Sequence, residues 1–276
     1  MFTIHPKYAA PYESLYDMKI KTTRDAHGAY WVGLNHGYVA ENVIQAIHAY
    51  GWTIKRAVHG TCGEVDADLY GSYIVDIPNA PKLEWGDYAV GLRHSNQELS
   101  VCLFFGAVTH EGYPMCVRRL TRRRRHTINV DLEHTLQDCF PKTIYWFRND
   151  ALNLYQRALV ETPVTDEQVH ALINTECVIR HRLRMFHSQM IWRAWSSSPV
   201  AYSGYNAWCL FQALGLLCTH PKFRPKQQFQ FFPDLLPLIH QFTPLESTLT
   251  RILNDGAVSP QAHGILTVLA GPGAVQ

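Results

Sequence analysis

Between residues 40 and 120 the apolar positions fall into short runs divided by turn residues; beyond residue 128 they recur at helical spacing. Val43, Ile44, Ile47 and Tyr50 repeat every three or four residues, and Gly51 supplies a stop, so a helix over about 40–50 is predicted. Five runs rich in Val, Ile, Tyr and Phe read as strands: 52–59, 70–77, 87–93, 99–108 and 115–120. Short connections at Ser95-Asn96 and His110-Glu111-Gly112 predict antiparallel hairpins. Ahead of them, Pro6, Pro11 and Gly28 punctuate a loosely packed arm, and residues 31–34 form a short strand.

The second half reads as helices. One covers 131–140 and is closed by Pro141; a longer one covers 142–161, with Ile144, Phe147, Leu152, Tyr155 and Leu159 towards the core. Thr165 and Gln168 have capping-box spacing, and the helical stretch behind them runs to about Trp195, where Ser196-Ser197-Ser198-Pro199 breaks it. Residues 206–218 predict a buried helix, 235–242 another, and Thr243 caps a last one before a frayed Gly271-Pro272-Gly273 tail. The fold class is α+β: a mainly antiparallel sheet with a flanking helix in the N-terminal half and a helical C-terminal half. Its parts are an arm over 1–30, a sheet domain over 31–127 and a helical domain over 128–276.

With 276 residues, 47 % of them hydrophobic and 17 % charged, the chain can bury a sizeable core, and wholesale disorder is excluded. Its seven cysteines are odd in number, form no CxxC and sit mostly in apolar runs, as buried reduced thiols do. No signal-like segment opens the chain, and the apolar run 101–108 is too short to cross a bilayer. A soluble, intracellular protein is expected, with no membrane partner.

Charge changes the picture. Six of the 25 Lys and Arg residues fall within 118–126, as Arg118, Arg119, Arg122, Arg123, Arg124 and Arg125, with no acid among them. Without those six the net charge would move from +2 to −4. Clustered arginines repel one another unless an anion or open solvent relieves them, and guanidinium suits bidentate phosphate contacts. A solvated linker or a contact with an acidic protein are the other readings of the run. Arg180, Arg182 and Arg184 make a second basic element, interleaved with Phe186, Trp192 and Trp195. On a helix Arg180, Arg184 and His187 share one face. Cations that follow a backbone beside aromatics that stack on bases suit single-stranded nucleic acid; an amphipathic helix with its aromatics in the core fits as well. Arg93 and His94 end a strand at a turn, either as a phosphate or base contact or as a structural polar pair.

Enzyme signatures are thin. HExxH, paired CxxC, GxxxxGKS, GxxxxGKT, GxGxxG and GxSxG are all absent. Cys177 with His181, and Cys218 with His220, are too few for a structural zinc. Asp66 and Asp68, beside Glu64, form the best acidic cluster and read as a loop between strands. No catalytic residue, metal or cofactor is assigned, although a cysteine nucleophile stays open.

Two stretches carry a family resemblance. The first is Ala89-Val90-Gly91-Leu92-Arg93-His94-Ser95 with the apolar run 99–108 and the basic 118–126 segment; the second is Trp195, a polar loop and Tyr205-Asn206-Ala207-Trp208-Cys209-Leu210-Phe211-Gln212-Ala213. Together they resemble the phage- and plasmid-borne proteins catalogued as domain of unknown function 932, over roughly residues 40–245. Cys102 and Cys116 depart from that pattern, and the arginine run is denser. The resemblance implies a mobile-element protein working in the bacterial cytoplasm and carries over no catalytic residue. A helix followed by an antiparallel sheet is also similar to the layout of phage single-strand annealing proteins.

The expectation is a non-enzymatic nucleic-acid-binding protein, a homo-oligomer favouring single-stranded DNA, acting in phage or plasmid recombination or replication. The alternatives are a counter-defence or regulatory protein that binds a host defence or replication protein or a nucleotide signal, and a nuclease using Asp66 or Asp68.

Overall fold

The computed structural model describes residues 4, 6–18, 22–24, 30–62, 68–98, 100–116, 122–125, 132–137, 139–175, 183, 185–197 and 205–254. They belong to two compact units: residues 1–79, 84–114 and 120–145 in one, and 80–83, 115–119 and 146–276 in the other. The fold is α+β.

The first unit is built on four long strands, β3 (Thr53–Cys62), β4 (Asp68–Asp76), β5 (Gly86–Ser95) and β6 (Ser100–Thr109), which follow each other as an antiparallel meander. Both expected hairpins are present. Ser95 pairs with Ser100 across one, and the Thr109 N–H donates to the Tyr113 carbonyl at 3.0 Å across the other. Past the second hairpin the chain makes a short strand, β7 (Pro114–Cys116). Strands β5 and β6 are buried along nearly their whole length, so their apolar residues run on continuously instead of alternating. β3 lies at the margin and is exposed or half-buried over most of its length; its register shifts at Lys55, whose ammonium sits 3.6 Å from both Asp76 and Asp87. Two strands of the arm, β1 (Thr22–Arg24) and β2 (Tyr30–Val32), form a separate antiparallel pair.

The flanking helix α1 (His36–Ala49) begins four residues before the periodicity suggests. Its cap explains the difference: the Asn35 side chain accepts the Tyr38 N–H at 3.1 Å. The first turn carries Gly37, which has no apolar signal to read. A Cβ there would come 2.6 Å from the Tyr16 ring, whose hydroxyl donates to Glu41 at 2.9 Å. Val39, Ala40, Val43 and Ile47 are buried as α1 packs over β3 and β5. Gly51 ends the helix with φ +75°, as read from the sequence. Phe140 closes this core, stacking on Tyr50 at 5.1 Å and meeting Trp52 and Phe105 edge-on.

The arm is tied down more firmly than its turn-rich sequence suggests. Ala9 bridges to Gly60, and the Ala10 N–H donates to the His59 carbonyl at 3.0 Å, so the chain covers part of the open edge of β3. Gly60 permits this, since a Cβ there would lie 2.6 Å from the Tyr8 carbonyl oxygen and 2.5 Å from Ile4. Gly60→Val should therefore release the arm at a cost of about 1–3 kcal/mol. Limited proteolysis checks it, with cleavage before Leu15 expected to quicken while the meander stays intact.

The helical half differs from its sequence reading at the prolines. Pro141 opens a helix instead of closing one: α2 (Leu132–Gln137) is followed by α3 (Phe140–Arg148), with proline in the first turn, where its missing N–H costs nothing. The expected 142–161 helix is two, because Asp150 adopts φ 59° and a new helix, α4 (Ala151–Glu161), starts behind it. The Thr165–Gln168 capping box is present and opens α5 (Asp166–Ala171). α6 (Met185–Ser197) and α7 (Ala207–Gly215) follow, and every residue of α7 is buried. α8 spans Pro225–Phe242, ten residues more than read from the sequence at its start, and holds Pro233 and Pro237 within it. Thr243 hydrogen-bonds back to the Ile239 carbonyl at 2.6 Å, so it closes α8 where it was expected to cap α9 (Leu245–Asn254). The 271–273 tail lies outside the described residues.

Candidate nucleic-acid interface

The arginine run enters the sheet. Arg122–Arg125 form a strand, β8, antiparallel to the Ser100–Leu103 end of β6. Arg118 and Arg119 lie outside the described residues, as do Arg180, Arg182 and Arg184 of the second basic element. Register alternates the four positions, with 122 and 124 on one face of the ladder and 123 and 125 on the other. Among the described residues no strand pairs with the far edge of β8. Charge on an edge strand has a purely structural use, since it deters edge-to-edge association.

The pairing brings two separate sequence features into shared rows. One row runs Tyr70–Arg93–Cys102–Arg123, the next Leu69–His94–Val101–Arg124, and the third Asp68–Ser95–Ser100–Arg125. Thus Arg93 and His94 stand two strand spacings, roughly 10 Å, from the arginine strand.

Arg93 and His94 are themselves engaged inside the unit. An Arg93 Nη2 sits 2.7 Å from Glu98 Oε1 and 3.8 Å from Asp68 Oδ1, and only 12 % of the side chain is exposed. Burial works against its charge, yet the Glu98 hydrogen bond and the neighbouring charges outweigh it and hold the guanidinium above its ordinary range. Asp68 also accepts from the Tyr70 hydroxyl at 3.3 Å. Burial, then the Asp68 charge, pushes that hydroxyl above the usual tyrosine value. His94 is fully buried, with Nδ1 2.7 Å from Nδ1 of His36, so one nitrogen of the pair carries the proton the other accepts. Next to them, Asn96 clasps the Leu34 backbone with bonds of 2.8 and 2.9 Å and so anchors the entry to α1. Asp66 lies outside the described residues.

In the second unit, α6 separates the aromatics that the sequence grouped together. Trp195 is fully buried and donates its indole N–H to Asp166 at 2.8 Å. Trp192 stacks on His170 at 4.0 Å. His187, which helical spacing puts on one face with Arg180 and Arg184, is buried against Phe223. Phe186 remains 49 % exposed, its ring 4.8 Å from that of His220. The loop behind His220 carries Lys222 and Arg224, both exposed, which the sequence reading passed over. A signal was there: residues 177–233 contain seven Lys and Arg and no Asp or Glu.

Three of the thiols are held back from nucleophilic character by burial. Burial pushes Cys116 up to about 12, and raises Cys209 and Cys218 as well. Among the described residues no three His, Cys, Asp or Glu side chains converge as a metal site would require, and no helix is long and apolar enough to cross a membrane.

Comparison with family models, with curated proteins and with solved structures found no match for this chain.

Proposed function

We propose that this chain is a non-enzymatic nucleic-acid-binding protein that favours single-stranded DNA and serves recombination or replication of a phage or plasmid. The observation that carries the proposal is the strand Arg122–Arg125, which lies at an edge of the sheet among the described residues. Alternate positions on such a strand repeat at about 6.8 Å, so four consecutive arginines on it supply cations at regular intervals for an extended polyanion. Oligomers holding a strand by its phosphates would leave base edges free to pair, which is what annealing needs. The mobile-element setting comes from the family resemblance.

The test is fluorescence anisotropy of labelled single- and double-stranded DNA over a salt series, comparing wild type with the variant changed to Gln at Arg122, Arg123, Arg124 and Arg125. For single strands the log–log salt slope is about −0.7 per phosphate neutralised, so loss of four contacts should flatten it by roughly 3. Wild type without salt-sensitive binding to either polymer would sink the proposal and turn attention to a host protein as partner. Binding that survives the four substitutions unchanged would remove the arginine strand from it.

A further inference from the structure

Phe186 is an apolar ring that the fold leaves half outside, at the start of α6 beside the still more exposed Met185. It is nonetheless held in place. His220 packs against its ring at 4.8 Å, and buried His187 lies 5.7 Å from Phe186 and 6.0 Å from His220, itself resting on buried Phe223 at 5.8 Å. The Lys222 N–H donates to His220 Nδ1 at 3.2 Å, which fixes the loop against that imidazole. Two exposed cations, Lys222 and Arg224, follow His220 on the same loop, two and four residues on. The chain that carries α6, α7 and this loop, residues 177–233, holds no Asp or Glu.

An exposed aromatic face with cations on its own loop, and carboxylates missing from the chain that carries it, meets the two demands of a single-stranded nucleic acid: bases to stack and phosphates to neutralise. An acidic protein partner would use the cations and leave the ring without work. We propose that Phe186 and His220 form a base-stacking platform whose adjoining phosphates are held by Lys222 and Arg224. The inference rests on the nucleic-acid reading above and adds a second contact surface, of different chemistry, on the other unit.

Stacking and phosphate contacts separate in a salt series, because stacking releases no counterions. The full-length protein is titrated against fluorescein-labelled twenty-nucleotide oligo-dT and against an abasic strand of equal length. Phe186→Ala should weaken binding to oligo-dT by about five- to 150-fold, the range seen for single base–aromatic stacks, at an unchanged salt slope. It should leave abasic binding as in wild type, and Phe186→Trp should retain oligo-dT binding. Lys222→Gln with Arg224→Gln should flatten the slope by about 1.4 on both strands. Equal affinity of Phe186→Ala and wild type for oligo-dT, or an equal loss on both strands, would overturn the platform while leaving the wider reading intact. Should Phe186→Ala fail to fold, an unchanged slope in the double-Gln variant would overturn it instead. A wild type that binds neither strand at any salt would end both proposals.

Discussion

Gly86→Ala is expected to lower the melting temperature of the first unit by about 10 °C. Gly86 opens β5 opposite Thr109, and a Cβ there would run into the Val108 carbonyl oxygen and carbon of the neighbouring strand. Both obstacles are backbone, so no rotamer change relieves them. The strands must part where the β5–β6 ladder meets its hairpin, and the Trp85 carbonyl that accepts the His110 N–H at 3.2 Å would shift with them. Overpacking against backbone lies at the upper end of the usual range, about 3 kcal/mol, and each kcal/mol moves the midpoint of a unit this size by roughly 3–4 °C. Gly51→Ala is the control. It is strained by its φ of +75° but has open space around the missing Cβ, so a loss of about 1–2 kcal/mol is expected. Scanning calorimetry on both variants decides the matter: Gly86→Ala melting within 2 °C of wild type would refute the clash.

The second large effect is acid lability from a buried histidine in each unit. Burial lowers His59 to about 4, with its Nε2 3.0 Å from the Tyr73 hydroxyl. Burial also lowers His240 to about 4; both of its ring nitrogens are shielded from solvent and lack hydrogen-bond partners among the described residues. Each folded value lies below the unfolded histidine value of about 6.5, so between the two the unfolded chain binds a proton that the native chain refuses. Stability from each group is full above that range and is lost as pH falls from about 6.5 to 4. At pH 5 the loss is about 2 kcal/mol per histidine relative to pH 7.5. His240→Phe keeps a ring against Tyr155, 5.6 Å away, and removes two unpaired nitrogens. It should gain about 1 kcal/mol at pH 7.5 and more at pH 5. Urea titrations at the two pH values measure this; a variant as acid-sensitive as wild type would acquit His240.

Much of the architecture was legible because its signals are local. Thr165 with Gln168, Gly51 behind α1 and the two hairpin turns each act within four residues, and all appear where the sequence places them. Pro141 was misread, and the start of α8 was placed after Pro233, because the effect of proline depends on position. Pro141 lies in a first turn and costs nothing, while Pro233 and Pro237 are carried inside α8 by a buried face that includes Phe229, Phe231, Phe232 and Leu236. The split at Asp150 had no apolar signature at all, since it rests on one residue with φ 59°.

The sequence by itself determined the α+β order, the existence of each long strand and the concentration of cations at 118–126, because propensity, periodicity and charge are properties of neighbours along the chain. Only the tertiary structure decided that the arginine strand shares rows with Arg93 and His94, some thirty residues away, and that carboxylates of β4 and the β5–β6 turn already neutralise Arg93. It also decided which aromatics of α6 are core: Trp195 is buried and bonded to Asp166, whereas Phe186 stays open beside a loop that arrives over thirty residues later. Alternation along a strand or helix tells a residue which face it is on. What covers that face is set by segments remote in sequence, whose packing free energy no local pattern contains.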